Sequence, residues 1–154
     1  MVTTTEKSRK IIPPVYLLLA LVMMWLLQYY FPVYQYIHEP IAYAGVVVVF
    51  LGIATAAIPA SVFKKAGTGI RPFDKATILV TGGFYRYTRN PMYLGMFLML
   101  MGVAFLMGSV GAALPVLAFM LIIRNNFVMG EERFLEASFG QQYLDYKSKV
   151  RRWL

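Results

Sequence analysis

The chain has 154 residues, about one domain's worth, of which 59% are hydrophobic and only 14% charged. A soluble domain carries about a quarter charged residues, so this composition excludes an ordinary soluble fold and implies an integral membrane protein. The net charge of +8 fits basic flanks facing anionic headgroups better than a nucleic-acid surface, and the lack of cysteine excludes disulfides, thiolate metal sites and a cysteine nucleophile.

Residues 1–10 are polar, with three basic side chains. The uncharged run 12–31 is too long for a signal-peptide core and is read as a retained first span. Pro13 and Pro14 suit a helix start, and Trp25, Tyr29, Tyr30 and Tyr34 thicken toward the far interface as an aromatic belt. A short link carries the single histidine, His38, beside Glu39; one His and one carboxylate fall short of a metal site, and none is expected. The second span, 40–63, is rich in Val, Ala and Gly, and Pro59 is expected to kink or end it.

A polar segment, 64–90, follows, with Lys64, Lys65, Arg71, Lys75, Arg86 and Arg89. Asn90-Pro91 predicts a helix start, with Asn as N-cap and Pro in the first turn. The third span, 91–107, is joined by the short Gly108-Ser109-Val110-Gly111 turn to a fourth, 112–128, forming an antiparallel hairpin. Gly95, Gly102, Ala104, Ala112, Ala113 and Ala118 are expected to let these two helices approach closely. The tail, 130–154, is amphipathic: Phe134, Leu135, Phe139, Tyr143, Leu144 and Tyr146 make an apolar stripe, and Gly140 divides two short helices that lie at the interface or dock on the protein. The expected fold is therefore all-α: a single membrane domain of four spans with a C-terminal helical hairpin and amphipathic tail helices.

Charge supports that topology. Of the 15 Lys and Arg residues, three lie in the N-terminal tail, six in the central segment and six from Arg124 onward, which leaves none for the opposite connectors. Four spans then put both termini and the central segment on the cytoplasmic side.

Two clusters carry chemistry. Arg124 and Glu131, like Asn125 and Glu132, are seven residues apart, a spacing that returns to one helix face and would stack each pair two turns apart. A charged helix end reaching for water would use the same residue types, but a Glu-Glu pair also invites a cationic partner. In the central segment, Gly82-Gly83, Tyr85, Tyr87 and Tyr93 surround the start of the third span. A basic loop that only orients the protein is one reading. The other is a site: helix N-terminal and glycine N–H groups favour an anion, tyrosine faces suit an adenine or a sulfonium, and a carboxylate suits an ammonium. Together they describe a zwitterionic, aromatic, cationic ligand.

The stretch LVTGGFYRYTRNPMYLG, with EERFLEASFGQQYLDYKSKVRRW following from Glu131, resembles the isoprenylcysteine carboxyl methyltransferase and phospholipid methyltransferase superfamily of integral membrane enzymes. The likeness covers residues 64–153. It implies S-adenosylmethionine bound at the cytoplasmic face and a methyl group passed to a lipophilic small-molecule or lipidated acceptor in the bilayer. It also implies a cofactor site lined by Thr77, Ile78, Leu79, Val80 and Tyr85, by Arg89, Asn90, Pro91, Met92 and Tyr93, and by Glu131, with Glu132 as its neighbour. Asn90 stands where some members have histidine. Phe127 stands where carboxyl methyltransferases have an arginine, and the nearest arginine, Arg124, is a turn earlier. The acceptor is left open between a prenylated protein or peptide, a phospholipid amine, a small thiol and a hydrophobic amine. Catalysis by near-attack positioning is expected, with Tyr93, Glu132 and Arg124 as candidates to assist.

Three other readings compete. Membrane sterol reductases resemble the C-terminal half and use NADPH, but are much longer. A four-span transporter of the multidrug type wants a membrane-embedded carboxylate, and the first three spans contain no Asp or Glu. A non-catalytic scaffold would have little need of both motifs.

Overall fold

A computed structural model describes residues 12–31, 40–65 and 78–154. Thr77, His38, Tyr34 and the basic stretch 66–77 lie outside the described residues. Among the described residues every regular element is helical.

Helix α1, Pro13–Tyr30, starts on its proline pair and carries no charge. At its far end Trp25 stacks on Tyr29 with ring centroids 5.6 Å apart, and Tyr29 meets Tyr30 edge-on. All three rings are exposed, as an interfacial belt requires. A single 3-10 turn, Ile41–Tyr43, leads into α2, Ala44–Lys65. Pro59 lies inside α2 and is buried, and the helix runs on past it, so it does not end the span. Nearby hydroxyls are satisfied within the helix: Thr55 Oγ1 donates to the Leu51 carbonyl and Ser61 Oγ to that of Ile58, both at 2.7 Å. Lipid offers no partner, so such bonds are needed there.

Helix α3, Pro91–Met107, packs more extensively against α2 than any other pair of helices. Four glycines set the approach. A Cβ on Gly52 would fall 2.6 Å from the Met99 nitrogen, one on Gly95 2.5 Å from the Ala56 nitrogen, and one on Gly102 2.6 Å from the Gly45 carbonyl oxygen. Gly45 would strike the Gly102 carbonyl in turn. Gly45 faces Gly102 and Gly52 faces Gly95, so the helices are antiparallel, with backbones in contact on a seven-residue repeat. The glycines of the third span therefore serve α2, not the hairpin with the fourth span to which the sequence reading assigned them.

Gly108, in the left-handed conformation at φ 63°, caps α3, and Ser109 caps the next helix by accepting the Ala112 N–H. Helix α4, Val110–Ile123, begins just before the predicted start and passes into a π-helical turn, Arg124–Val128, where the Met129 N–H reaches back to the Arg124 carbonyl. Helix α5, Met129–Phe139, continues it without a break. The resulting rod, Val110–Phe139, has 30 residues. At 1.5 Å per residue it is about 45 Å long, some 15 Å more than a hydrocarbon core needs, so its last two to three turns, with Glu131 and Glu132, stand beyond the span. Gly140, at φ 51° and ψ −124°, breaks the rod and starts α6, Gln141–Lys149, after which Val150 is extended.

Among the described residues three helices are long and apolar enough to cross a membrane, and α3 is a shorter apolar helix of 17 residues held along α2. Helix α4 packs chiefly on α1 and also touches α3. The core between them centres on Met24, Leu100, Val116, Phe119, Ile123 and Phe127. Tyr16, near the start of α1, meets Phe127 edge-on at 5.6 Å. The starts of α1 and α3, the end of α2 and the foot of the α4–α5 rod therefore share one end of the bundle, where the charged segments gather.

Candidate active site

The site is built at that charged end. A 3-10 turn, Gly83–Arg86, leads to Thr88, Arg89 and Asn90, immediately before α3. Asn90 occupies the N-cap position, but its side chain makes no capping bond. Its Nδ2 instead donates to the Arg152 carbonyl at 3.1 Å, and its backbone N–H donates to Thr88 Oγ1. Thr88 Oγ1 also donates to the Arg152 carbonyl at 3.0 Å, and the Arg89 N–H to the Arg151 carbonyl at 3.0 Å. The tail's Arg151 and Arg152 carbonyls thus accept from all three residues that lead into α3.

Glu131 and Glu132, adjacent in sequence, face different partners. Glu132 is buried between two guanidiniums: Arg152 grips it as a fork, Nε to Oε1 at 2.8 Å and Nη2 to Oε2 at 2.7 Å, and Arg89 Nη1 lies 3.1 Å from Oε1. Burial alone would raise its pKa, but the Arg152 hydrogen bonds and the two positive charges outweigh that and hold the carboxyl below its usual range. Glu131 is partly buried and accepts a 2.6 Å hydrogen bond from the Tyr93 hydroxyl. Among the described residues no cation pairs with it. Burial pushes its carboxyl up to about 7, against the lowering effect of the Tyr93 bond.

Tyr85 completes this corner. It is buried, and burial raises its phenol well above the ordinary value, with the Tyr146 and Glu131 charges adding to the effect. The Tyr146 hydroxyl donates to the Tyr85 carbonyl at 2.7 Å and so ties α6 to the loop. Tyr143, also buried on α6, receives a 3.5 Å bond from Arg89 Nη1. On the membrane side the Tyr93 ring leans on Phe127 at 6.4 Å, and Phe127 leans on Tyr16.

Of the residues expected to hold the cofactor, Tyr85, Tyr93 and Glu131 come together. Arg89 and Asn90 are adjacent but committed to the tail, and Pro91 is buried in the first turn of α3. Met92, Leu79 and Val80 are half-buried, and Ile78 is exposed. Arg124 and Asn125 are exposed, whereas Glu131 is partly buried and Glu132 buried, and a π turn lies between the two pairs. The sequence reading missed Thr88, Tyr143, Tyr146 and Arg152 as parts of the site. Two of these were visible only as members of the tail's amphipathic stripe.

Comparison with known proteins gives the chain a family. Residues 40–142, well over half of it, match the phospholipid methyltransferase family. It is similar to an uncharacterised protein of Haemophilus influenzae, 43% identical over 63 residues that cover 41% of this chain and all of that one. It is also similar to the protein-S-isoprenylcysteine O-methyltransferase of Schizosaccharomyces pombe, 35% identical over 80 residues, covering 50% of this chain and 33% of that enzyme. Among solved structures it is similar to the eukaryotic intramembrane Ras methyltransferase, isoprenylcysteine carboxyl methyltransferase, with a TM-score of 0.63 and 26% identity, over 96% of this chain and 52% of that one. The chain thus spans about a third of the yeast enzyme and half of the Ras methyltransferase. The Tyr93–Glu131 corner and the helices that carry it belong to a member of the phospholipid methyltransferase family, within the wider superfamily of the isoprenylcysteine carboxyl methyltransferases.

Proposed function

We propose that the protein uses S-adenosylmethionine to methylate a lipophilic acceptor drawn from the bilayer, at a site on the cytoplasmic side. The observation that carries this reading is Glu131, a partly buried carboxylate with a tyrosine donor and no counter-ion of its own among the described residues. A buried charge without a partner is costly, and a cationic ligand removes that cost. Glu131 would hold the ammonium group, the faces of Tyr85 and Tyr93 would flank the adenosine or the sulfonium, and the start of α3 would favour the carboxylate. When bound there, S-adenosylmethionine supplies a methyl group already activated on positive sulfur.

The protein's own part is then positioning. The Tyr93 O–H fixes the Glu131 carboxylate, and the tail covers the site from water. Phe127, packed between Tyr16 and Tyr93, keeps the membrane side apolar for the acceptor. Of the three residues considered for an assisting role, Tyr93 is the one placed within this corner. Both oxygens of Glu132 are taken by arginines, and Arg124 is exposed.

A particular acceptor class is favoured. Phe127 fills the position of the arginine found in carboxyl methyltransferases, and the Arg89 and Arg152 guanidiniums are spent on Glu132. An amine or a neutral lipophilic group fits this site better than a carboxylate. The gathering of all Lys and Arg residues on three segments supports the placement of both termini and the site in the cytoplasm.

The test is methyl transfer. Protein reconstituted in liposomes should move label from the methyl group of S-adenosylmethionine into an organic-extractable amine or neutral acceptor. Folded protein that labels no member of a panel of phospholipid amines, hydrophobic amines, thiols and prenylated peptides would refute the reading.

A further inference from the structure

Residues 150–153, just after α6, make more long-range polar contacts than their length would suggest. The Arg151 carbonyl accepts from the Arg89 N–H, and the Arg152 carbonyl accepts from both Thr88 Oγ1 and Asn90 Nδ2. The Arg152 side chain turns the other way and grips Glu132 with two bonds. Trp153 packs against the buried core that includes Tyr93 and Phe127. Thr88 is 1% exposed and Glu132 6%, so these bonds form where water does not compete.

Their placement gives them a role. Arg89 and Asn90 lead directly into the α3 turn that carries Tyr93, and Glu132 directly follows Glu131. The tail therefore bonds to both short stretches whose neighbouring residues meet in the 2.6 Å Tyr93–Glu131 contact. The bundle does not depend on this arrangement, because α2 and α3 pack through their own glycines and α1 packs on α4.

We propose that residues 150–153 are a clasp over the cofactor site and that Arg152 is its positioning residue. Arg152 makes no hydrogen bond or ion pair to Tyr93 or Glu131. Through its carbonyl it holds the loop before α3, and through its guanidinium it holds Glu132, so it fixes the separation at which Tyr93 and Glu131 meet. The inference rests on the S-adenosylmethionine reading given above.

The full-length protein in detergent tests it with three readouts: S-adenosylhomocysteine affinity by calorimetry, amide exchange at Arg89, and the melting temperature. Arg152→Ala should weaken binding about tenfold, since it removes bonds to a charged group, and should deprotect the Arg89 amide. The melting temperature should fall, because Glu132 stays buried with Arg89 as its remaining ion-pair partner. Arg152→Lys keeps the charge without the fork and should recover only part of the affinity. Thr88→Val removes one bond to the Arg152 carbonyl together with the acceptor of the Asn90 N–H, and leaves no stray charge; it should weaken binding about threefold, even if Arg152→Ala fails to fold. Wild-type affinity in the Thr88→Val and Arg152→Lys proteins, or a protected Arg89 amide in Arg152→Ala, would overturn the clasp while the methyltransferase reading stands. If wild-type protein itself binds no S-adenosylhomocysteine, that reading falls and the proposal falls with it.

Discussion

Glu131→Gln separates the charge of Glu131 from its shape. The amide keeps an oxygen to accept the 2.6 Å bond from the Tyr93 hydroxyl, so the corner should stay assembled while the negative charge is lost. A hydrogen bond to a charged group contributes about 1.5–3 kcal/mol, which corresponds to about a ten- to 150-fold loss of cofactor affinity. The pH dependence sharpens the test. Because the carboxyl titrates near 7 in the free protein, the binding-competent carboxylate dominates above that value and the protonated form below it. Affinity should therefore rise with pH, by about tenfold between pH 6 and pH 8, as the ionised fraction rises from about a tenth to about nine-tenths. Glu131→Gln should bind weakly and lack this tenfold rise. Calorimetric titration with S-adenosylhomocysteine at three pH values measures both effects. A variant that binds as tightly as wild type at pH 8, or shows the same pH slope, would refute the assignment of Glu131 to the ammonium.

The other substitutions probe separate links. Tyr93→Phe deletes the donor to Glu131 and should cost about 1–3 kcal/mol of stability along with cofactor affinity; an unchanged melting temperature and affinity would show the bond to be incidental. Gly95→Ala places a methyl 2.5 Å from the Ala56 nitrogen, against backbone that cannot turn aside. It should cost at least about 1–3 kcal/mol and lower the melting temperature, and a neutral result would mean that α2 and α3 are not in backbone contact. Arg124→Ala should leave cofactor affinity unchanged, since Arg124 is exposed and unpaired with Glu131; joint loss of binding and folding would instead make it structural.

The helices were legible because lipid allows few alternatives: long uncharged runs in a membrane chain must be helical. Pro91 in the first turn of α3 and the tight turn at Gly108 could be read from local chemistry alone. The partners of the glycines could not. Gly95 and Gly102 mark a close approach, but the sequence does not say whether α2 or α4 is approached, and adjacency in the chain wrongly suggested α4. The separation of Glu131 from Glu132 was equally hidden, because it depends on Arg152, far along the chain, and on the π turn that sets which side of α5 faces Tyr93. That turn also lies within the seven-residue spacing from Arg124, which assumes 3.6 residues per turn throughout. Asn90 was placed correctly at its cap position, yet its side chain bonds the tail, a long-range contact that no capping preference encodes.

The most direct test of the central claim is calorimetric titration of the detergent-purified protein with S-adenosylmethionine and S-adenosylhomocysteine, with NADPH as the control. Saturable binding of the two sulfur ligands, abolished or strongly weakened in Glu131→Gln, is the expected result. Folded protein that binds neither of them, or binds NADPH instead, would contradict the claim that Glu131, Tyr93 and Tyr85 form a methyl-donor site.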